Sequence, residues 1–363
     1  MSLEEFASMN EMRTFREPGA GGPSRPPLGE ELLPPVEQPS ARFIMQLFVV
    51  PALIVLVIVG VALTFSWLVR SATVDHNALI KGIESGPAVA KWQRASELAD
   101  MLNNPRYAHL KRDEKTAEHL AQILDRAIDQ SNGDQDSQED ATLRVFLARA
   151  LGEFEVPDGT EVLLKAAETK RTPHDELVRQ RAIEALAVRA YNLQQHDPPE
   201  QLSDPDLEPT LVRLAGDEDT AIRSRATFAL GKLGTPAAIE KLEALVNDPD
   251  PDTRYNAALA LAHRGNSTAV DTLAEMLDLS ELSKSADDKD SEDVGFKRSV
   301  IISSAIDGAH ALARQNPNAD LTNVLKALQQ LVKTDDKELE KHHVPKRIIS
   351  DADRALQMMR AKQ

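Results

Sequence analysis

The sequence predicts an all-α chain: an α-solenoid of about seven stacked helix pairs, preceded by one transmembrane helix and a disordered N-terminal tail. Three observations predict it. Between Gly216 and Gly265 the chain repeats itself at a period of 31 residues, with two helical patterns in each period. Phe43–Val69 is a run of 27 residues without a charge. Residues ahead of that run are rich in proline and cannot bury a core. The expected divisions are therefore a tail over 1–42, a spanning helix over 43–70 and a solenoid over 75–363, with an insert loop at about 279–295.

The tail opens with Leu3, Phe6, Met9, Met12 and Phe15 at three-residue spacing; a short amphipathic helix could carry that pattern, but an unfolded chain end is the expected reading. Pro18–Ser40 holds seven prolines and reads as a flexible to polyproline-like tether. In Phe43–Val69, Arg42 and Arg70 bracket the apolar run and Trp67 sits at one interface. About 20 apolar residues suffice to cross the hydrocarbon. A solenoid helix needs a polar face, and this run has none. Basic residues are balanced across it, so the expected topology follows from the short tail alone: tail inside, solenoid extracytoplasmic, a single-pass membrane protein.

Asp75–Asn104 reads as an atypical first pair, as terminal repeats commonly are. Thr116–Asp129 with Ala141–Glu153 forms a second, and Thr160–Thr169 with Asp175–Leu193 a third. The Gln130–Asp140 connector contains Asp134, Asp136 and Asp140 but lacks the glycine and glutamate of a calcium loop, so it is read as a solvated loop with a helix cap. The fourth and fifth pairs are the 31-residue repeats. Leu211, Leu214 and Ala215 recur as Leu242, Leu245 and Val246, then as Leu273, Met276 and Leu277, which begins the sixth. Its partner helix is delayed by the acidic insert Ser280–Asp293, after which Asp293 and Lys297 restore the cap and basic residue. Leu321–Lys333 and Lys346–Met359 close the array.

Within a repeat, Asp219 and Asp250 stand at N-cap positions, and Gly234 and Gly265 where a left-handed residue ends the helix. Ala226, Ala229, Ala257 and Ala260 keep one helix face thin. Asp175/Arg179, Asp219/Arg223 and Asp250/Arg254 share one spacing; each arginine can reach its own aspartate or the neighbouring repeat's. The pattern Asp-x-x-x-Arg-x-x-Ala-x-x-Ala-Leu-x-x-x-Gly at this period resembles the short HEAT-like repeat, of the type also found in phycobilin lyases, here in a membrane-anchored, bacterial-type chain. The resemblance implies a stacking unit. It also raises a second reading, a chromophore lyase or lyase-like accessory protein.

Chemistry is sparse. Nine histidines show no two-ligand helix spacing, and His342-His343 are adjacent, so a structural or solvated role is expected. There is no cysteine, no phosphate loop and no nucleophile elbow. Net charge is −16, which repels a phosphate backbone. The expectation is a non-catalytic scaffold without cofactor or metal and without nucleic acid. It holds a protein partner in a concave, acidic groove of the second helices, and a membrane through 43–69.

Overall fold

In a computed structural model the chain is described over residues 41–71, 75–131, 136–284 and 292–360. The tail expected over 1–40 lies outside the described residues. The chain divides at residue 73 into two units.

In the first unit, α1 (Ala41–Ser71) starts two residues earlier than the sequence suggests and runs through Pro51. Thr64 Oγ1 bonds back to the carbonyls of Gly60 and Val61, so its hydroxyl is satisfied inside the helix. Every side chain described from 49 to 64 is exposed, around the whole circumference. Among the described residues no helix is long and apolar enough to cross a membrane, and the expected span extends beyond the side chains described.

The second unit is built of helices with no strand among the described residues. Pairs follow one another: α2 (His76–Ser85) with α3 (Ala88–Leu102), α4 (Glu114–Gln130) with α5 (Gln138–Gly152), and α6 (Thr160–Glu168) with α7 (Asp175–Gln194). Then come α8 (Leu207–Leu214) with α9 (Thr220–Leu233), and α10 (Pro236–Leu245) with α11 (Pro251–Ala262). In the sixth pair α12 (Val270–Met276) is separated from α14 (Glu292–Gln315) by α13 (Leu279–Lys284). In the seventh α15 (Thr322–Val332) is separated from α17 (Arg347–Arg360) by α16 (Asp336–Lys341). Second helices pack in series, α3 on α5, α5 on α7, α7 on α9, α9 on α11, α11 on α14 and α14 on α17. One continuous apolar core runs between the two layers from Leu79 to Met359, which is how repeats that cannot bury a face alone become stable together.

Local chemistry explains the ends. Asp219 accepts from the backbone N–H of Ala221 and Ile222, and Asp250 from that of Thr253, each cap contributing about 1 kcal/mol. Gly234 and Gly265 take φ of 64° and 76°, a left-handed backbone that L side chains rarely adopt. Ala226, Ala229 and Ala257 are buried, and an added Cβ on Gly231 would lie 2.7 Å from Ala260 Cβ, so α9 and α11 touch nearly backbone to backbone.

Asp175 is the first residue of its helix, as expected, and its carboxylate turns back to accept from the N–H of Arg171 and Thr172 at 2.7 and 2.8 Å. Two expectations change. The insert is not all loop, because Leu279–Lys284 is helical, while 285–291 lie outside the described residues. Asp293 is the second residue of α14 rather than the residue ahead of it.

Candidate functional site

The most regular polar feature is a ladder of arginines between successive repeats. Each sits in the first half of a second helix and reaches forward. Arg144 donates to Asp136 in its own turn at 2.6 and 2.7 Å and to Asp175 of the next repeat at 3.4 Å. Arg179 bonds the Ala167 carbonyl at 3.0 Å and Asp217 at 2.5 Å. Arg223 grips Asp248 through Nε and a terminal nitrogen at 3.0 and 3.1 Å, and its other nitrogen takes the Asp217 carbonyl at 2.8 Å. Arg254 does the same with Glu275, at 3.3 and 2.5 Å, and with the Asp248 carbonyl at 2.9 Å. One guanidinium thus closes the turn before its own helix and pins the turn of the next repeat.

The acidic partners differ from those the spacing suggests. Asp219 and Asp250 spend their carboxylates on helix N–H groups, so the arginines pair with Asp217, Asp248 and Glu275 instead. Asp217 and Asp248 are held in place by accepting from the N–H two residues on, at 2.9 Å each. Lys297 leaves the ladder and pairs with Asp252 at 2.9 Å; the ladder residue is its buried neighbour Arg298, which donates to the His342 carbonyl at 3.2 Å. Arg144 was legible in retrospect, since Asp140-x-x-x-Arg144 followed by Leu147, Ala150 and Leu151 repeats the pattern. Asp136 is not a solvated loop residue: its side chain is 1% exposed against Arg144.

Electrostatics follow the geometry. The Arg144 guanidinium holds the Asp136 carboxyl below the usual carboxylate range against the opposing effect of burial. Burial raises Asp217, but the Asp219 N–H and Arg179 outweigh it and the net displacement is downward. Hydrogen bonding to Glu275 raises Arg254. Exposure grows along the array, from 1% at Arg144 to 6% at Arg179, 12% at Arg223 and 20% at Arg254.

Two further polar features stand apart from the ladder. His342 meets Ser283 Oγ through Nδ1 and Glu338 through Nε2, both at 3.0 Å, beside a cavity of about 400 Å3. Ser283 also bonds the Leu279 carbonyl at 2.6 Å, as a helical hydroxyl does, so the three side chains tie α13 to α16. Among the described residues no group of His, Asp and Glu could hold a metal ion. Arg189 is fully buried, and none of its guanidinium nitrogens has a hydrogen-bond partner among the described residues. Burial pushes its pKa down to about 10, against the attraction of Asp158.

The open surface divides unequally between the two layers. Outside α1, every large apolar side chain described as exposed lies on a second helix: Val89, Leu177, Val188, Tyr191, Phe228, Phe296, Val300 and Met358. Cross-links of the same face run between neighbouring second helices, Asp100 to Arg149 at 2.7 Å and Glu184 to Arg225 at 2.7 Å. Between α5, α7 and α9 lies a groove of about 330 Å3 lined by Val145, Leu177, Arg181, Glu184 and Arg225. The charges of this groove are mixed, Arg181 and Arg225 with Glu184; Lys232 and Arg264 lie at the C-terminal ends of α9 and α11.

A family model for HEAT repeats matches residues 175–249 and 207–284. Among solved structures, the chain is similar to a HEAT-like repeats protein of the archaeon Thermococcus onnurineus NA1 (15% identity, 80% of this chain and 99% of that one, TM-score 0.39). It is also similar to YibA of Escherichia coli (16% identity, 78% and 93%, TM-score 0.40). A third is human deoxyhypusine hydroxylase in complex with glycerol (20% identity, 79% and 96%, TM-score 0.28). No curated protein matches the chain. The 31-residue period, the paired helices and the family match agree over residues 175–284, and that segment carries HEAT-like repeats.

Proposed function

We propose that the chain is a membrane-anchored, non-catalytic scaffold that binds a protein partner through the face of its second helices. The observation that carries this reading is the restriction of exposed large apolar side chains to those helices. First helices bury their apolar residues in the core and offer polar surface. Second helices do both, and surface that stays apolar in a water-soluble array marks a contact. A repeat array also lines its second helices up side by side, giving a long surface on which several weak contacts add.

The anchor is the other half of the proposal. The uncharged run Phe43–Val69 falls wholly within α1. Its described side chains are exposed and apolar on every side, including Leu53, Leu56, Ile58 and Leu63. A helix closes its own backbone hydrogen bonds, as a hydrocarbon environment demands. The solenoid is extracytoplasmic and the tail cytoplasmic in this reading.

The test is photo-crosslinking in native membranes. A benzophenone amino acid replaces Phe228 or Phe296 on the second-helix face, or Glu240 on α10 as a control. The proposal expects defined crosslinked proteins from the first two positions and none from the third. Crosslinks confined to Glu240 overturn it.

A further inference from the structure

The second-helix face holds a cationic centre at the C-terminal ends of α7, α9 and α11. Lys232 Nζ lies 4.8 Å from the ring centroid of Phe228 and 5.2 Å from that of Tyr191. Both rings are exposed, at 43% and 47%. An ammonium over two ring faces is held by their quadrupoles, and Lys232 is half-buried there. Gln194, in the last turn of α7, donates to the Lys232 carbonyl and ties the two helix ends together.

Arg264 lies alongside. Its guanidinium occupies the space that a side chain on Gly234 would fill, and one N–H goes to the Ala260 carbonyl at 3.1 Å. Burial, then the neighbouring Arg264, lowers the pKa of Lys232. His263 is lowered by burial and by Lys232, while Asp307 acts on it in the opposite direction. Among the described residues neither Lys232 nor Arg264 forms an ion pair with a carboxylate; the one polar contact of the Arg264 guanidinium is the Ala260 carbonyl. In a chain of net charge −16, these two cations lie near each other with no ion-paired acid among the described residues.

Helix capping explains part of this. A cation in the last turn of α9, or just beyond the end of α11, favours the carbonyl end of the helix. Capping does not call for two exposed rings around the lysine, nor for a second cation against it. An acid set between the two would relieve their repulsion, and the rings beside it offer an apolar seat.

We propose that this patch binds an acidic peptide segment of a protein partner, with a carboxylate between Lys232 and Arg264 and an apolar side chain on Phe228 and Tyr191. The proposal rests on the second-helix face being the binding face. A short acidic segment fits better than a nucleic acid, because the rest of the chain repels an extended polyanion.

The experiment uses the full chain in detergent micelles and fluorescence anisotropy. The probe is a fluorescein-labelled peptide, Glu-Asp-Phe-Asp-Glu-Leu-Glu-Asp; its amide counterpart, Gln-Asn-Phe-Asn-Gln-Leu-Gln-Asn, is the comparison. The expected result is saturable binding of the acidic peptide alone, weakened by salt. Lys232→Gln with Arg264→Gln, and separately Tyr191→Ala with Phe228→Ala, each weaken it roughly tenfold. Lys326→Gln on α15 leaves it unchanged, and circular dichroism shows the variants folded. Absence of saturable binding, or equal binding of the amide peptide, overturns the proposal. So does Lys232-dependent binding of oligothymidylate or phosphatidylglycerol vesicles in place of the peptide. Crosslinks from Phe296, which lies on α14 outside the patch, without peptide binding would leave the face standing and remove this site. Peptide binding without any second-helix crosslink would do the reverse.

Discussion

Truncating the ladder arginines should give a graded loss of stability that follows their burial. Arg179 is 6% exposed and its partner Asp217 17%. Arg179→Ala leaves Asp217 with the Asp219 N–H but without its counter-charge, and also frees the Ala167 carbonyl. Breaking a buried pair from one side costs about 3–5 kcal/mol. At Arg223 the pair is 12% and 9% exposed, and the loss is set by charged hydrogen bonds, about 1.5–3 kcal/mol. At Arg254 and Glu275, 20% and 28% exposed, water takes over part of the work and about 1 kcal/mol is expected. The assay is urea unfolding of a 75–363 fragment, read with amide exchange, since a solenoid opens repeat by repeat. A double-mutant cycle between Arg223 and Asp248 separates the pair from lost packing of the arginine stem. Equal losses at all three positions, or a coupling near zero for Arg223 and Asp248, would refute the ladder as the inter-repeat tie.

Four further outcomes follow from the same structure. Asp136 and Asp217 are both held below their unfolded value, so their contribution is complete above about pH 4 and drains as pH falls through the lower folded values; acid titration of stability should show this, with a smaller fall in Arg179→Ala. Arg189→Met should be neutral or should stabilise by about 1–4 kcal/mol, because a buried charge without a hydrogen-bond partner is replaced by an apolar chain of similar length; a loss of stability in urea would show that the guanidinium is satisfied. Gly231→Ala should destabilise by about 1–3 kcal/mol, since Ala260 stands 2.7 Å from the new methyl; unchanged unfolding would mean that α9 and α11 part freely. The full chain should resist alkaline carbonate extraction, and Val57→Glu with Val61→Glu should release it, each buried charge costing about 3 kcal/mol at mid-membrane; release of the unaltered chain would contradict the anchor.

Much of the fold is legible in the sequence because each repeat states it again. Leu211, Leu242 and Leu273 hold one place in three successive first helices, and the buried alanines of α9 and α11 fix the contact between second helices. What the sequence hides is the choice between two acids two residues apart. Asp217 and Asp219, or Asp248 and Asp250, are equally near an arginine along the chain. Only the helix start decides that the second caps and the first pairs. The same limit explains Lys297 and Arg298: adjacent on a helix, they point about 100° apart, and the buried one joins the ladder. The basic patch was hidden because it is assembled across repeats: Tyr191 comes from α7, Phe228 and Lys232 from α9, and Arg264 from the turn after α11. Only Phe228 and Lys232, four apart on one helix, share a local spacing.

The central claim is that the second-helix face meets a protein partner at the membrane. Hydroxyl-radical footprinting tests it most directly, comparing the chain in its native membranes with the purified chain in detergent. The account predicts that Tyr191, Phe228 and Phe296 are protected in the membranes and labelled when purified, while the half-buried Val212 and Ile239 of the first helices do not change. Equal labelling of the three aromatic residues in both preparations, or protection confined to the first helices, would contradict it.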